Sequence, residues 1–114
     1  MRTKEMIQIE AESEYLYRKA CELYHGEDYE RSMETLEEAV RLSPNFSSAL
    51  CVMGHCKEKQ GADEQALDLY TRAIEVDPYH SKAWYYKGQI LTRLGKAEDG
   101  KKHIEKAIAL SFGR

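Results

Sequence analysis

Apolar residues along this chain recur at spacings of three and four, in runs that stop and restart at a regular interval. Leu50, Met53 and Gly54 form one such stripe, and Ala66, Tyr70, Ala73 and Ile74 form a second. Spacings of that kind keep side chains on one face of an α-helix, so each stripe predicts an amphipathic helix packed against its neighbour. Gly54 and Ala73 are small enough to let two helix backbones approach closely. The second stripe ends in IEVDP, and VRLSP closes an equivalent stretch upstream. The residue before a proline disfavours the α conformation, which predicts helix ends at both places.

Pro44 and Pro78 are 34 residues apart, and other columns fall into line at that step. Ser13, Ser47 and Ser81 match, as do Leu16, Leu50 and Trp84, which are expected in the core. Ala20, Gly54 and Gly88 form a small-residue column, and Ala39, Ala73 and Ala107 form another. Val40, Ile74 and Ile108 lie beside the second of these, followed by Leu42, Val76 and Leu110. The chain therefore reads as three copies of one unit, at residues 13–46, 47–80 and 81–114, after an extension of residues 1–12. Each unit predicts two helices. The three serines are expected as N-caps, because a serine hydroxyl can accept from a first-turn backbone N–H. Gly26, Gly61 and Gly95 are expected at the turns between helices, where a tight or left-handed conformation is needed.

Period and residue types together resemble the tetratricopeptide repeat (TPR) family. The second unit supplies Leu50, Met53, Gly54, Ala66, Tyr70, Ala73 and Pro78 to that pattern, and the third Trp84, Gly88, Leu91, Ile104 and Ala107. The first supplies Leu16, Ala20, Leu23, Leu36, Ala39 and Pro44. The departures are Lys19, Lys57 and Lys87 at places that usually hold apolar residues, Phe112 for a third proline, and Gly100, expected to loosen the last helix by up to ~1 kcal/mol. The resemblance implies an all-α, right-handed superhelical solenoid of antiparallel helix pairs. It also implies a concave groove lined by the first helix of each unit. Carried over by position, the peptide-binding residues expected there are Tyr17, Cys21, Tyr24, Cys51, His55, Lys82, Tyr85, Gln89 and Arg93, with Glu14, His25, Ser48, Glu58, Lys59 and Thr92 on the same helix faces. Chaperone-binding members carry a clamp of Lys, Asn, Asn, Lys and Arg. The corresponding places here are Tyr17, Cys21, Val52, Lys82 and Tyr86, and only Lys82 fits.

Cys51, His55 and Cys56 raise the question of a metal or a nucleophile. With Cys21 they offer no fourth ligand and no C-x₂₋₄-C spacing, so no metal or cofactor is expected. A catalytic Cys–His pair lacks an orienting third group, and no phosphate-cradling glycine loop or carboxylate dyad is recognisable, so no enzyme is predicted. The odd count of three cysteines and the absence of a continuous apolar run at the N-terminus predict a cytoplasmic chain without structural disulfides, signal peptide or membrane span.

Charge is uneven along the 114 residues. The first unit holds eight acids and four bases, the second six and three, and the third three acids and eight bases: Lys82, Lys87, Arg93, Lys96, Lys101, Lys102, Lys106 and Arg114. The acidic front argues against nucleic acid as partner. The function expected is a non-catalytic adaptor binding a peptide segment of another protein, its tyrosines supplying contact area and Lys82 with Arg93 drawing an acidic end. The alternatives are a homo-oligomeric scaffold pairing acidic front to basic back, and a fragment of a longer repeat protein. For residues 1–12, with Met6, Ile7 and Ile9, three roles stand open: extending the first helix, covering an end of the stack, or docking on a partner.

Overall fold

The computed structural model describes residues 1–113; Arg114, counted above among the basic residues of the third unit, lies outside the described residues. Among the described residues six helices follow one another: α1 (Lys4–His25), α2 (Tyr29–Leu42), α3 (Ser47–Lys59), α4 (Asp63–Val76), α5 (Ser81–Arg93) and α6 (Ala97–Ser111). They pair as α1·α2, α3·α4 and α5·α6, and each pair stacks on the next through α2·α3 and α4·α5. The result is an all-α superhelical stack of extents 46 × 34 × 19 Å.

The small-residue columns are what let each pair close. A Cβ built on Gly54 would sit 2.5 Å from Cε1 of Tyr70, so the tyrosine ring occupies the space that any side chain at 54 would need. Between α5 and α6 the approach is closer still. A Cβ on Gly88 would lie 2.8 Å from the Gly100 carbonyl oxygen, and one on Gly100 would lie 2.7 Å from the Gly88 carbonyl oxygen and against Thr92. Gly100 is therefore not a loosening flaw in the last helix, as its low helix propensity suggested; it is the contact that seats α6. In the first unit the equivalent place is Ser32, whose hydroxyl donates to the Ala20 carbonyl at 2.8 Å. The core runs through Ala20, Leu36, Ala49, Leu50, Cys56, Ala66, Tyr70, Ala73, Ala83 and Ile90, all fully buried.

Several local expectations are corrected. Ser47 and Ser81 are the first residues of α3 and α5 rather than caps, and Ser13 lies inside α1. Ser47 instead ties its hydroxyl to the Ala73 carbonyl and to Nδ1 of His80. The side-chain caps are Thr3 on α1, accepting from the Met6 N–H, and Asp28 on α2, accepting from the Arg31 N–H. In the first turn between helices the left-handed residue is Glu27 at φ 63°, not Gly26; Glu27 stands in the column of Gly61 and Gly95, which have φ 76° and 87°. Trp84 is half-buried, not core. Its indole N–H donates to the Pro78 carbonyl at 2.8 Å, its ring packs against His103, and the Lys106 ammonium sits 5.9 Å from its centroid.

Of the three roles open to residues 1–12, the first is observed: α1 runs unbroken from Lys4, nine residues further N-terminal than the aligned starts of α3 and α5, as an exposed overhang. Among the described residues no helix is long and apolar enough to cross a membrane.

Candidate functional site

The first helix of each pair contributes one wall of an open cleft of about 590 Å³. Tyr17, Cys21, Tyr24 and His25 come from α1, Val52, His55, Glu58 and Lys59 from α3, and Lys82, Tyr86 and Gln89 from α5. Residues separated by three and four on each helix make these walls, as the sequence spacing predicts.

Seven of the nine predicted groove residues reach this cleft or its floor. Tyr17, Cys21, Tyr24, His55, Lys82 and Gln89 line it. Cys51 lies beneath it, only 4% exposed, with its sulfur 3.9 Å from Nδ1 of His80. Its burial follows from its position between α1 and α5, where a small apolar side chain fills the floor. The tyrosines are less exposed than expected of residues without a covering helix. Tyr17 packs on Phe46 with ring centroids 5.0 Å apart, and Tyr24 meets Tyr29 edge-on at 5.5 Å.

Two predicted residues stand elsewhere. Tyr85 is 42% exposed at the end of the stack, beside Ile108 and Phe112; it meets the cleft through Gln89, whose amide donates to its hydroxyl, and through the edge of Tyr86 at 5.9 Å. Arg93 is half exposed but engaged within the fold. Its Nε and Nη2 grip both carboxylate oxygens of Asp63 at 2.9 and 3.0 Å, and Nη2 also bonds Glu58 at 2.8 Å. A bidentate fork of this kind engages the guanidinium within the fold, where it ties α5 to α3 and α4.

The residue that takes the place expected of Tyr85 is Tyr86. Its ring meets His55 edge-on at 4.4 Å and lies 5.7 Å from Tyr70. The spacing 82–86–89 places it with Lys82 and Gln89 on one helix face, a signal already in the sequence.

A polar network underlies these rings. The Tyr70 hydroxyl donates to Glu58 Oε1 in a short contact, and Nδ1 of His55 lies 2.6 Å from the same hydroxyl. A hydroxyl that gives its proton to Glu58 can only accept from His55, so Nδ1 of His55 carries its hydrogen. Burial pushes the Glu58 carboxyl up, but His55, the Tyr70 hydroxyl and the Arg93 guanidinium outweigh it and hold the group at about 2. With Glu58 answered by Arg93, the cations remaining on the cleft lining are Lys59 and Lys82, both exposed. The cleft surface is thus tyrosine-rich with a positive bias.

Burial pushes Cys51 up to about 12, and raises Cys21 and Cys56 also, so all three stay protonated at neutral pH. Among the described residues, no group of three or more His, Cys, Asp or Glu side chains is placed to hold one metal ion.

Comparison with known proteins bears on the same region. Models described as tetratricopeptide repeat match residues 13–46, 47–80 and 69–102. Protein bimA of Emericella nidulans is 26% identical over 87 residues, covering 76% of this chain and 11% of that protein. The TPR repeat-containing protein YpiA of Bacillus subtilis is 28% identical over 82 residues, covering 72% of this chain and 19% of that protein. The chain thus spans at most about a fifth of the length of these curated relatives. Among solved structures, the second TPR of Spaghetti (RPAP3) bound to the HSP90 peptide SRMEEVD superposes with a TM-score of 0.86 at 23% identity, over 93% of this chain and 98% of that one. The Yersinia enterocolitica secretion chaperone SycD, in complex with a peptide of the translocator YopD, gives 0.80 at 20% identity, over 85% and 74%.

Proposed function

This chain belongs to the tetratricopeptide repeat family, and from that premise we propose that it is a non-catalytic adaptor whose concave face holds a peptide segment of a partner protein. The observation that carries this reading is the cleft itself: an open trough with three tyrosines, Tyr17, Tyr24 and Tyr86, and the exposed Lys82 on one wall. Tyrosine offers a broad apolar face and a hydroxyl at small entropic cost, which suits capture of an extended segment. Two solved neighbours, SycD and the second TPR of Spaghetti, hold peptides, which supports the same use of the fold.

The ligand has an acidic residue near the third repeat, drawn by Lys82 alone, since Arg93 is engaged with Asp63 and Glu58. A chaperone C-terminal tail of the clamp-binding kind fits poorly. Tyr17, Cys21, Val52 and Tyr86 stand where the clamp needs cations and amides, so most of a bound carboxylate's hydrogen bonds would go unmade. The protein acts in the cytoplasm and has no nucleic-acid partner, as its acidic first two repeats argue.

A peptide array biased towards acidic and aromatic sequences, followed by titration of the best binder, tests the reading. Lys82→Glu and Tyr86→Ala are each expected to weaken affinity about tenfold or more, while Lys82→Glu leaves the melting curve unchanged. Binding that neither substitution alters would remove the groove from the function.

A further inference from the structure

The two ends of the stack differ in an informative way. In the first and second repeats, Val40 and Ile74 are partly buried because the next helix, α3 or α5, covers them. Their counterpart Ile108 is 52% exposed, and Phe112 beside it is 71% exposed. With Tyr85, Ala107 and Lys82 they line a shallow apolar pocket of about 230 Å³. This pocket is an apolar seat that no helix covers among the described residues. The seat is short, because Lys101 replaces the partly buried Met33 and Leu67 of the inner repeats. A charge there blocks the N-terminal half of α6 and leaves only its last turns apolar.

At the other end, α1 cannot simply continue a stack. Tyr15, Lys19 and Glu22 occupy columns that hold Ala49, Met53 and Cys56 in α3, where they would have to be buried. What this end offers instead is the overhang. Met6 and Ile9, 47% and 41% exposed, form one wall of a cleft of about 700 Å³ whose other wall is Leu42 at the end of α2 with Pro44 and Phe46 of the α2–α3 loop. Glu10 and Glu14 stand on its rim. The short apolar seat of one end has a counterpart in the apolar Met6 and Ile9 of the overhang at the other. They are opposite in charge, with Lys82 against Glu14 locally and an acidic first repeat against a basic third at long range.

We propose that the protein associates head to tail with a second copy of itself, the Ile108–Phe112 ridge of one copy entering the cleft between the α1 overhang and the α2–α3 loop of the next. The contact is heterologous, so it leaves an unused head and an unused tail at the ends of every chain of copies and grows without closing. It is small and weak, and charge sets its rate and salt sensitivity more than its strength. It shares Lys82 with the peptide groove but uses none of Tyr24, His55 or Tyr86.

Sedimentation velocity of the full chain over a wide concentration range, at low and high salt, tests it. Average mass is expected to rise with concentration and to fall with salt. Phe112→Asp closes the tail and Met6→Asp closes the head, and each is expected to weaken self-association about tenfold or more. Each variant keeps one intact end, so mixing the two restores a dimer that does not extend. Should Met6→Asp fray the overhang, seen as lost helicity, Glu14→Lys replaces it as the head variant. Wild-type protein that stays monomeric throughout overturns the proposal. So does self-association that the mixture fails to restore, which would mark a symmetric contact instead.

Discussion

Glu58 shows how one side chain can serve the fold and shape the cleft together. It is held at about 2 against an ordinary value of 4.5, so its charged form is favoured by folding. A carboxyl with a depressed folded-state value contributes stability that is complete above its unfolded value and lost as pH falls through the folded one. For Glu58 that window runs from about 4.5 down to about 2. Glu58→Gln is expected to cost roughly 1–3 kcal/mol at neutral pH, with the difference from wild type shrinking steadily as pH approaches 2. Urea unfolding of both proteins across that range measures it; a difference that persists undiminished at the acid end would show that the carboxylate charge is not what Tyr70 and Arg93 hold in place. The residue scale is also where sequence reading is weakest. Arg93 reads as a ligand-seeking cation because nothing in the linear pattern tells that Asp63, 30 positions earlier, lies within 3.0 Å of it.

At the scale of elements, the turns between paired helices repeat one geometry with unequal residues. Gly61 and Gly95 take the left-handed conformation at little steric cost, whereas Glu27 adopts it at φ 63° with a Cβ. Glu27→Gly is expected to raise the midpoint of urea unfolding, by roughly 0.5–1 kcal/mol in stability, because it relieves strain and removes only an exposed side chain. An unchanged or lower midpoint would mean that the side chain of Glu27 gives more than its backbone loses. The helices themselves are legible from periodicity, since a stripe at three and four residues can be buried only as a helix. Their starts are less so. Of the serine column, which by composition suits caps, Ser13 and Ser47 are buried, and the Ser47 hydroxyl bonds across helices to the Ala73 carbonyl. A hydroxyl pattern alone does not distinguish a cap from an inter-helix bond.

For the whole molecule, burial falls away from the middle. Seven residues of α3 are buried, among them Leu50 and Cys56, against two in α6. In a stack held by neighbour contacts, the inner helices open only when the ends have gone. Amide hydrogen exchange followed by mass spectrometry is therefore expected to show slowest exchange in α3 and α4, with the α1 overhang and the last turn of α6 fastest. Uniform protection along the chain would mean that the three repeats unfold as one unit. The lengthwise charge asymmetry, acidic first and basic last, belongs to this scale too, because no single pair accounts for it.

The sequence by itself determined the repeat, its period and the all-α pairing, because those follow from local periodicity and from small residues recurring where backbones must touch. It also determined which residues share a face on each helix, since a face is a matter of spacing along one helix; that the first helices face a groove was what the family resemblance implied. Only the tertiary structure decided which groove side chains remain available. Arg93 is engaged by Asp63 and Glu58, Cys51 sinks into the floor, and Tyr86 rather than Tyr85 meets His55. Those outcomes depend on distances between helices that sequence spacing does not encode.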